Sequence, residues 1–183
     1  MPDGAPQQGG PHARRHGTRT KARKRALDIL FEADLREEDP LTILAHRLEL
    51  GEPPVRPFTC DLVEGVCAEV REIDSVIASS LSPGWTLERM PRVDRNLARI
   101  AVYEMWFTEL APEIAVTDAV DLAAALSTDE SPSFLNGLLG KALRTLRETY
   151  PQAARGEASD EASDDEASDD DEPADEASDE GGN

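Results

Sequence analysis

The stretch FLNGLLGKALRTL, residues 134–146, carries the clearest helical pattern in the chain. Its apolar residues recur at steps of three and four, at Leu135, Leu138, Leu139, Ala142, Leu143 and Leu146. Because an α-helix completes a turn every 3.6 residues, this spacing places them on one face, as in a helix that packs against a core. The pattern ends before Pro151, which lacks a backbone N–H. We therefore predict a helix with one buried face.

Two features of this stretch need interpretation. Asn136-Gly137 normally signals a turn, yet here the apolar period continues through it. We interpret Gly137 as a point of close helix packing, where a side chain would not fit. Phe134 lies about 100° around the helix from Leu135, at the edge of the apolar face. It is therefore either a core residue or an anchor for a protein partner.

Similar periods extend outward toward the N-terminus, and no segment shows the alternation of a β-strand. They predict helices over Thr18–Leu35, Leu41–Leu50, Phe58–Leu81, Pro91–Leu110 and Pro112–Leu126, with a short turn over Trp85–Met90. In the first helix, the buried stripe is predicted to comprise Leu27, Leu30, Phe31 and Leu35. The helix over 91–110 is apolar on most sides, which predicts a central position. The fold class is all-α, with six or seven helices.

Charge is distributed very unevenly along the chain. Residues 1–26 contain seven Lys/Arg and one acid, whereas residues 156–183 contain 14 Asp/Glu and no Lys/Arg. Neither end has an apolar period, so we predict disorder over 1–17 and 151–183, around a helical domain at 18–150. One hypothesis is that the acidic tail folds back onto the basic start and competes with non-specific RNA; solubilisation is the simpler role.

The cysteines and the apolar runs bear on the compartment. Cys60 and Cys67 fall in one predicted helix, about 10 Å apart along its axis, which excludes a disulfide within it. The N-terminus lacks the apolar stretch of a secretory signal, and no run approaches the roughly 20 residues of a membrane span. We therefore expect a reduced, cytoplasmic protein that does not enter a membrane.

No motif for catalysis, a cofactor or a metal is present. His12 and His16 have i,i+4 spacing but no acidic or thiol partner, and His46 reads as a helix-surface residue. The sequence lacks a glycine-rich phosphate loop, a nucleophile elbow and an HExxH motif. We predict a protein that is not an enzyme and that needs neither a cofactor nor a metal.

The basic start is the most informative functional feature. Seven Lys/Arg between Arg14 and Arg25 can neutralise several phosphates at once, which gives salt-dependent affinity for nucleic acid. Arginine planes also stack on unpaired bases, which suits single-stranded RNA better than a duplex. The alternative is a solubilising basic arm, and composition alone does not separate the two.

Three stretches together resemble the NusB antitermination family over about residues 19–149. They are RTKARKRALDILFEADL (19–35), VDRNLARIAVYEM (93–105) and AVTDAVDLAAALSTDESPSFLNGLLGKAL (115–143). The resemblance implies two perpendicular three-helix bundles. It also implies binding to boxA, a short single-stranded element of nascent ribosomal RNA transcripts, together with NusE, a small-subunit ribosomal protein. The complex is then expected to join other Nus factors on RNA polymerase and suppress termination.

The resemblance also assigns residues to roles. Arg19, Lys21 and Arg23 fall on the family's RNA-contacting start, and Lys24 and Arg25 compensate for Thr20, a position that is often basic. Phe31 falls where many relatives have a tyrosine near the RNA, so stacking survives there without the hydroxyl. Glu130 and Phe134 fall on the loop and helix start that contact NusE.

Four rival functions compete with this one, and one of them is a purely structural helical protein, which RNA binding would distinguish. A helical DNA-binding regulator is disfavoured because residues 27–150 contain no helix-turn-helix with a basic recognition helix. A NusB-like domain also precedes the catalytic domain of some ribosomal RNA cytosine methylases, but no glycine-rich cofactor loop follows in this chain. A generic basic-arm RNA-binding protein is the third, and preference for boxA would distinguish it.

Overall fold

The computed structural model describes residues 17–151, and the disorder predicted for the two ends falls, apart from Gly17 and Pro151, outside the described residues. This part contains α-helices and one short 3-10 turn, Leu87–Arg89, but no β-strand. The helices are α1 (Thr18–Arg36), α2 (Pro40–Leu50), α3 (Pro57–Ala68), α4 (Val70–Ser80), α5 (Arg92–Phe107), α6 (Pro112–Leu126) and α7 (Ser131–Thr149). The predicted all-α class with six or seven helices is confirmed.

The prediction of one long helix over residues 58–81 is wrong, because the chain breaks at Glu69 between α3 and α4. The backbone of Glu69 has φ −106° and ψ 14°, outside helical values. Apolar residues occur at Val66 and Ile73, seven positions apart, so the helical period continues in phase across the break. Periodicity alone therefore could not reveal it.

Helix α5 lies at the centre of the fold, as its apolar surface predicted. It packs against α1, α3, α4, α6 and α7, and residues such as Leu97, Ala98, Ala101 and Val102 are almost completely buried. Helices α1, α2 and α3 pack on one another, while α4, α6 and α7 pack around α5. The first group has the three helices of one bundle that the family resemblance implies, whereas the second group has four helices. No described helix has the length and apolar character needed to cross a membrane.

Two glycines behave differently from one another. An ideal Cβ built on Gly65 of α3 would lie 2.0 Å from Cζ of Tyr103, so α3 approaches α5 as closely as it does only because residue 65 has no side chain. At Gly137 the same Cβ would meet nothing within 4 Å. The interpretation of Gly137 as a close-packing position is therefore wrong; it lies on the exposed side of α7.

Candidate RNA- and partner-binding surfaces

The first turns of α1 present an exposed basic surface, which we call the α1 basic surface and define as Arg19, Lys21 and Lys24. The guanidinium of Arg19 lies 5.3 Å from the centre of the Phe58 ring, a cation–π distance. Lys24 pairs with Asp28 one turn later, at 3.0 Å between Nζ and Oδ2. No acidic residue occupies the first turn of α1, so this end of the helix is positively charged.

Arg23 lies inside the fold, unlike its neighbours on α1. Its side chain is 3% exposed, and its Nε and Nη2 donate to the two carboxylate oxygens of Glu104, each at 2.7 Å. Its Nη1 donates to Asp118 at 2.5 Å. Burial by itself lowers the pKa of Arg23, but hydrogen bonding to Glu104 and the charges of Glu104 and Asp118 raise it above its ordinary value. This arrangement gives Arg23 a role in holding α1 against α5 and α6, and RNA contact by Arg23 stays a prediction.

The other two predicted RNA contacts of α1 are half-buried. Nε and Nη2 of Arg25 are shielded from solvent and have no hydrogen-bond partner among the described residues. Phe31 lies further along the helix and is also only partly covered. Leu35, one turn beyond Phe31, is 55% exposed, so its assignment to the buried stripe is wrong. In that stripe only Leu27 and Leu30 are fully buried, so the buried face covers less of α1 than the period indicated.

The predicted partner residues lie together at the start of α7. Glu130 is exposed, and its carbonyl accepts the backbone N–H of Phe134 at 3.0 Å. The Phe134 ring is half-buried and packs against Trp85, with ring centres 5.7 Å apart. Arg89 places its guanidinium 5.5 Å from the Trp85 ring. We call Trp85, Arg89, Glu130 and Phe134 the α7 aromatic surface.

Asp94 fixes the loop that carries Glu130. This carboxylate is 2% exposed and accepts hydrogen bonds from Ser127 Oγ at 2.6 Å and from Ser131 Oγ at 2.8 Å. The oxygens of the two hydroxyls lie 2.9 Å apart, so the three side chains form one compact network around the Asp94 carboxylate. The network ties the end of α6 and the start of α7 to the first turn of α5.

The described residues hold no group of three or more His, Cys, Asp or Glu side chains arranged to bind a metal ion. His12 and His16 lie outside the described residues, and His46 is exposed on α2.

Comparison with protein families supplies the identification. A model of the NusB family matches residues 20–144, more than half of the chain. The chain belongs to the NusB family. The matched range covers the α1 basic surface from residue 20 onward and the whole α7 aromatic surface.

Curated relatives agree with this assignment. The transcription antitermination protein NusB of Salinispora tropica is 54% identical over 127 residues, covering 67% of this chain and 93% of that protein. The NusB of Streptomyces avermitilis is 47% identical over 146 residues, covering 76% and 98%. The NusB of Cutibacterium acnes is 53% identical over 126 residues, and the chain spans only 48% of its length.

Solved NusB structures share the fold. NusB from T. maritima superposes with a TM-score of 0.62 at 28% identity, covering 70% of this chain and 92% of that one. A structure described as antitermination factors NusB and NusE in complex with double-stranded RNA gives a TM-score of 0.62 at 27% identity, covering 69% and 96%.

Two candidate functional residues of this NusB chain were not predicted from the sequence. Trp85 was assigned only to a turn, although a tryptophan in a polar loop is a signal for an exposed binding residue. Asp94 was not singled out at all. Its partners Ser127 and Ser131 are 33 and 37 positions away, so no local pattern connects them.

Cys67 lies in a cavity of about 410 Å³ beside the C-terminal end of α1, lined also by Leu30, Val66 and Arg99. Burial, followed by the charge of Asp39, raises the pKa of this thiol to about 11. At pH 8 the thiolate fraction is then about one in a thousand, and the thiolate is the reactive form.

We therefore expect iodoacetamide to alkylate Cys67 about 100-fold more slowly than an unhindered cysteine at pH 8. A time course read by mass spectrometry measures this, with the chain unfolded in urea as the control. The folded chain holds the proton of this thiol more tightly than the unfolded chain does. The thiol's contribution to the free energy of unfolding is therefore complete below pH 9 and is lost as the pH rises toward 11. Equal rates in folded and unfolded chains would contradict the assignment.

Proposed function

We propose that the chain is a non-catalytic transcription antitermination factor that binds boxA-type single-stranded RNA of ribosomal transcripts through the α1 basic surface. The observation that best supports this proposal is that Arg19, Lys21 and Lys24 are exposed on a helix that Arg23 anchors in the core. The family match and the antitermination names of the relatives support the proposal.

The chemistry of the surface suits single-stranded RNA. Lys21 and Lys24 are charges on flexible stems, which bind phosphates and release counterions. Arg19 already rests on the Phe58 ring, and both planes offer stacking faces to an unpaired base. Phe31 adds a partly exposed ring further along α1. Contacts to phosphates would thus position the RNA on the surface, while stacking on unpaired bases would supply the preference for single-stranded RNA.

The second part of the proposal concerns a protein partner. The α7 aromatic surface has the composition of an interface anchor, since it combines a tryptophan, a phenylalanine and an arginine in contact. A NusB neighbour of known structure was solved with NusE, which supports NusE as the partner. We place its docking site at Glu130 and Phe134, the residues to which the family resemblance gives this role. The heterodimer would then join other Nus factors and RNA polymerase in the cytoplasm.

Replacing Lys21 with glutamine should weaken binding to boxA RNA and lower the magnitude of the salt slope of log K by about 0.7, the value for one phosphate contact on a single strand. Fluorescence anisotropy at several salt concentrations measures this, with scrambled RNA alongside. Arg71→Gln is the matched control, because Arg71 is exposed on α4, away from the α1 basic surface. A larger change in R71Q than in K21Q would contradict the proposed surface.

Replacing Phe134 with alanine should weaken NusE binding about tenfold, which corresponds to about 1.4 kcal/mol, because the variant loses the ring that packs on Trp85. Isothermal titration calorimetry with purified NusE is the measurement, and binding of RNA by the variant alone should be unchanged. Tyr150→Ala serves as the control, since Tyr150 is an exposed aromatic at the other end of α7. Undiminished NusE affinity in F134A would place the partner elsewhere.

A further inference from the structure

A groove of about 420 Å³ runs between the end of α4 and the exposed side of α7, and we call it the α4–α7 groove. Its lining includes Ser80 of α4 and, in order along α7, Phe134, Gly137, Lys141 and Arg144. The α1 basic surface contributes nothing to it. The groove is therefore a separate feature from the proposed RNA surface.

The groove contains a polar group that the fold leaves unsatisfied. Ser80 is 6% exposed, and its hydroxyl has no hydrogen-bond partner among the described residues. A buried hydroxyl without a partner is unfavourable, because it loses its bonds to water without replacement. The oxygen is shielded from solvent, so an occupant that offers a peptide N–H or C=O would restore the lost bond once the Ser80 side chain rotates toward the groove.

Two cations stand at the end of the groove. Lys141 Nζ donates to the carbonyl of Ser79 at 2.7 Å, and its remaining N–H donors have no acidic partner among the described residues. Arg144 likewise forms no ion pair within the described part of the chain. This pair of side chains therefore presents positive charge that an acidic occupant can neutralise.

We propose that the α4–α7 groove binds the chain's own acidic segment, residues 156–183. This segment contains four copies of Glu-Ala-Ser-Asp, starting at residues 157, 161, 166 and 176. Each copy supplies carboxylates for Lys141 and Arg144, and a small alanine that fits over the bare backbone of Gly137. The peptide groups between them offer a partner for the Ser80 hydroxyl once this side chain rotates toward the groove.

The segment is long enough to reach the groove. The described chain ends at Pro151, and Gly137 lies 14 residues back along α7, which corresponds to about 21 Å at 1.5 Å per residue. The nine steps along the chain from residue 151 to Asp160 extend to about 30 Å. The first copy can therefore reach the groove, and the later copies can reach it without the chain being fully extended. Because the ligand is tethered, its effective concentration is in the millimolar range, so weak contacts suffice.

Carbodiimide crosslinking of the full chain tests the proposal, because the chain has only three lysines, Lys21, Lys24 and Lys141. The reagent joins a lysine amine directly to a carboxylate, and mass spectrometry identifies the joined residues. We expect Lys141 to be the principal lysine joined to residues 156–183 at 50 mM salt. The yield should fall at least fivefold at 1 M salt, where the screening length is about 3 Å.

Gly137→Leu separates docking in the groove from simple proximity. Its side chain fills the groove without changing any charge, and helix propensity favours leucine over glycine, so the fold is retained. We expect at least a fivefold loss of Lys141 crosslinks in G137L and no loss in the control Asn136→Leu, an exposed neighbour outside the groove. Equal Lys141 yields in G137L and the parent chain, or crosslinks mainly at Lys21 and Lys24, would overturn the proposal.

Discussion

Replacing Arg23 with methionine will lower the free energy of unfolding by about 3–5 kcal/mol, the loss expected when one member of a buried ion pair is removed. Arg23 and Glu104 are 3% and 1% exposed, and they share two hydrogen bonds of 2.7 Å. The variant leaves the Glu104 carboxylate buried without its cation. Urea unfolding followed by circular dichroism measures the change, and the midpoint should fall without a change in slope.

A double-mutant cycle separates the pair from simple loss of packing. In R23M/E104L both charges are gone and both replacements are apolar, so the double variant should be markedly more stable than R23M alone. Lys24→Met is the matched control, because its pair with Asp28 is exposed and should contribute less than about 1 kcal/mol. Equal losses in R23M and K24M would contradict a structural role for Arg23.

Replacing Gly65 with alanine will lower the free energy of unfolding by about 1–3 kcal/mol, because the added methyl overpacks the contact between α3 and α5. The new Cβ would lie 2.0–2.4 Å from atoms of the Tyr103 ring, closer than any real contact. Tyr103 is itself packed against Phe107, with ring centres 5.9 Å apart, so its ring must give up part of this contact to move away. Alanine forms helices better than glycine does, so without the clash this substitution would raise the free energy of unfolding. A decrease would therefore point to the clash.

The control for this prediction uses a smaller neighbour. In a Tyr103→Leu background, Gly65→Ala should cost much less, since the clashing ring atoms are absent. Gly137→Ala should be neutral or stabilising, because its Cβ meets nothing within 4 Å. Thermal unfolding of the set would show the order directly, and equal effects at Gly65 and Gly137 would rule out the close approach.

The helices and the central place of α5 could be predicted because they follow from local periodicity. The break at Glu69 could not, since the apolar period continues through it from Val66 to Ile73. Leu35 was misassigned for a related reason: a period indicates which residues share a face, but not how far the neighbouring helix extends along it.

The candidate surfaces were harder to predict than the fold. The charge of the first helix was visible, but a sequence cannot show that Arg23 turns inward to Glu104, 81 positions away, while Lys21 and Lys24 stay outside. Similarly, Trp85 meets Phe134 across 49 positions, and only the packing of α7 brings them together. The family resemblance supplied roles for Glu130 and Phe134, and the geometry added Trp85 and Arg89 beside them.

The Asp94 network has a consequence for the kinetics of association. Two hydroxyls held on one buried carboxylate restrain both ends of the loop over residues 127–131 before any partner arrives. A preorganised loop loses little conformational entropy on docking, so less of the contact energy is offset. Weakening the network, as in Ser127→Ala, would leave the contacting side chains unchanged yet slow productive encounters and shorten the lifetime of the complex. The serines would thus govern how long a partner stays without ever touching it.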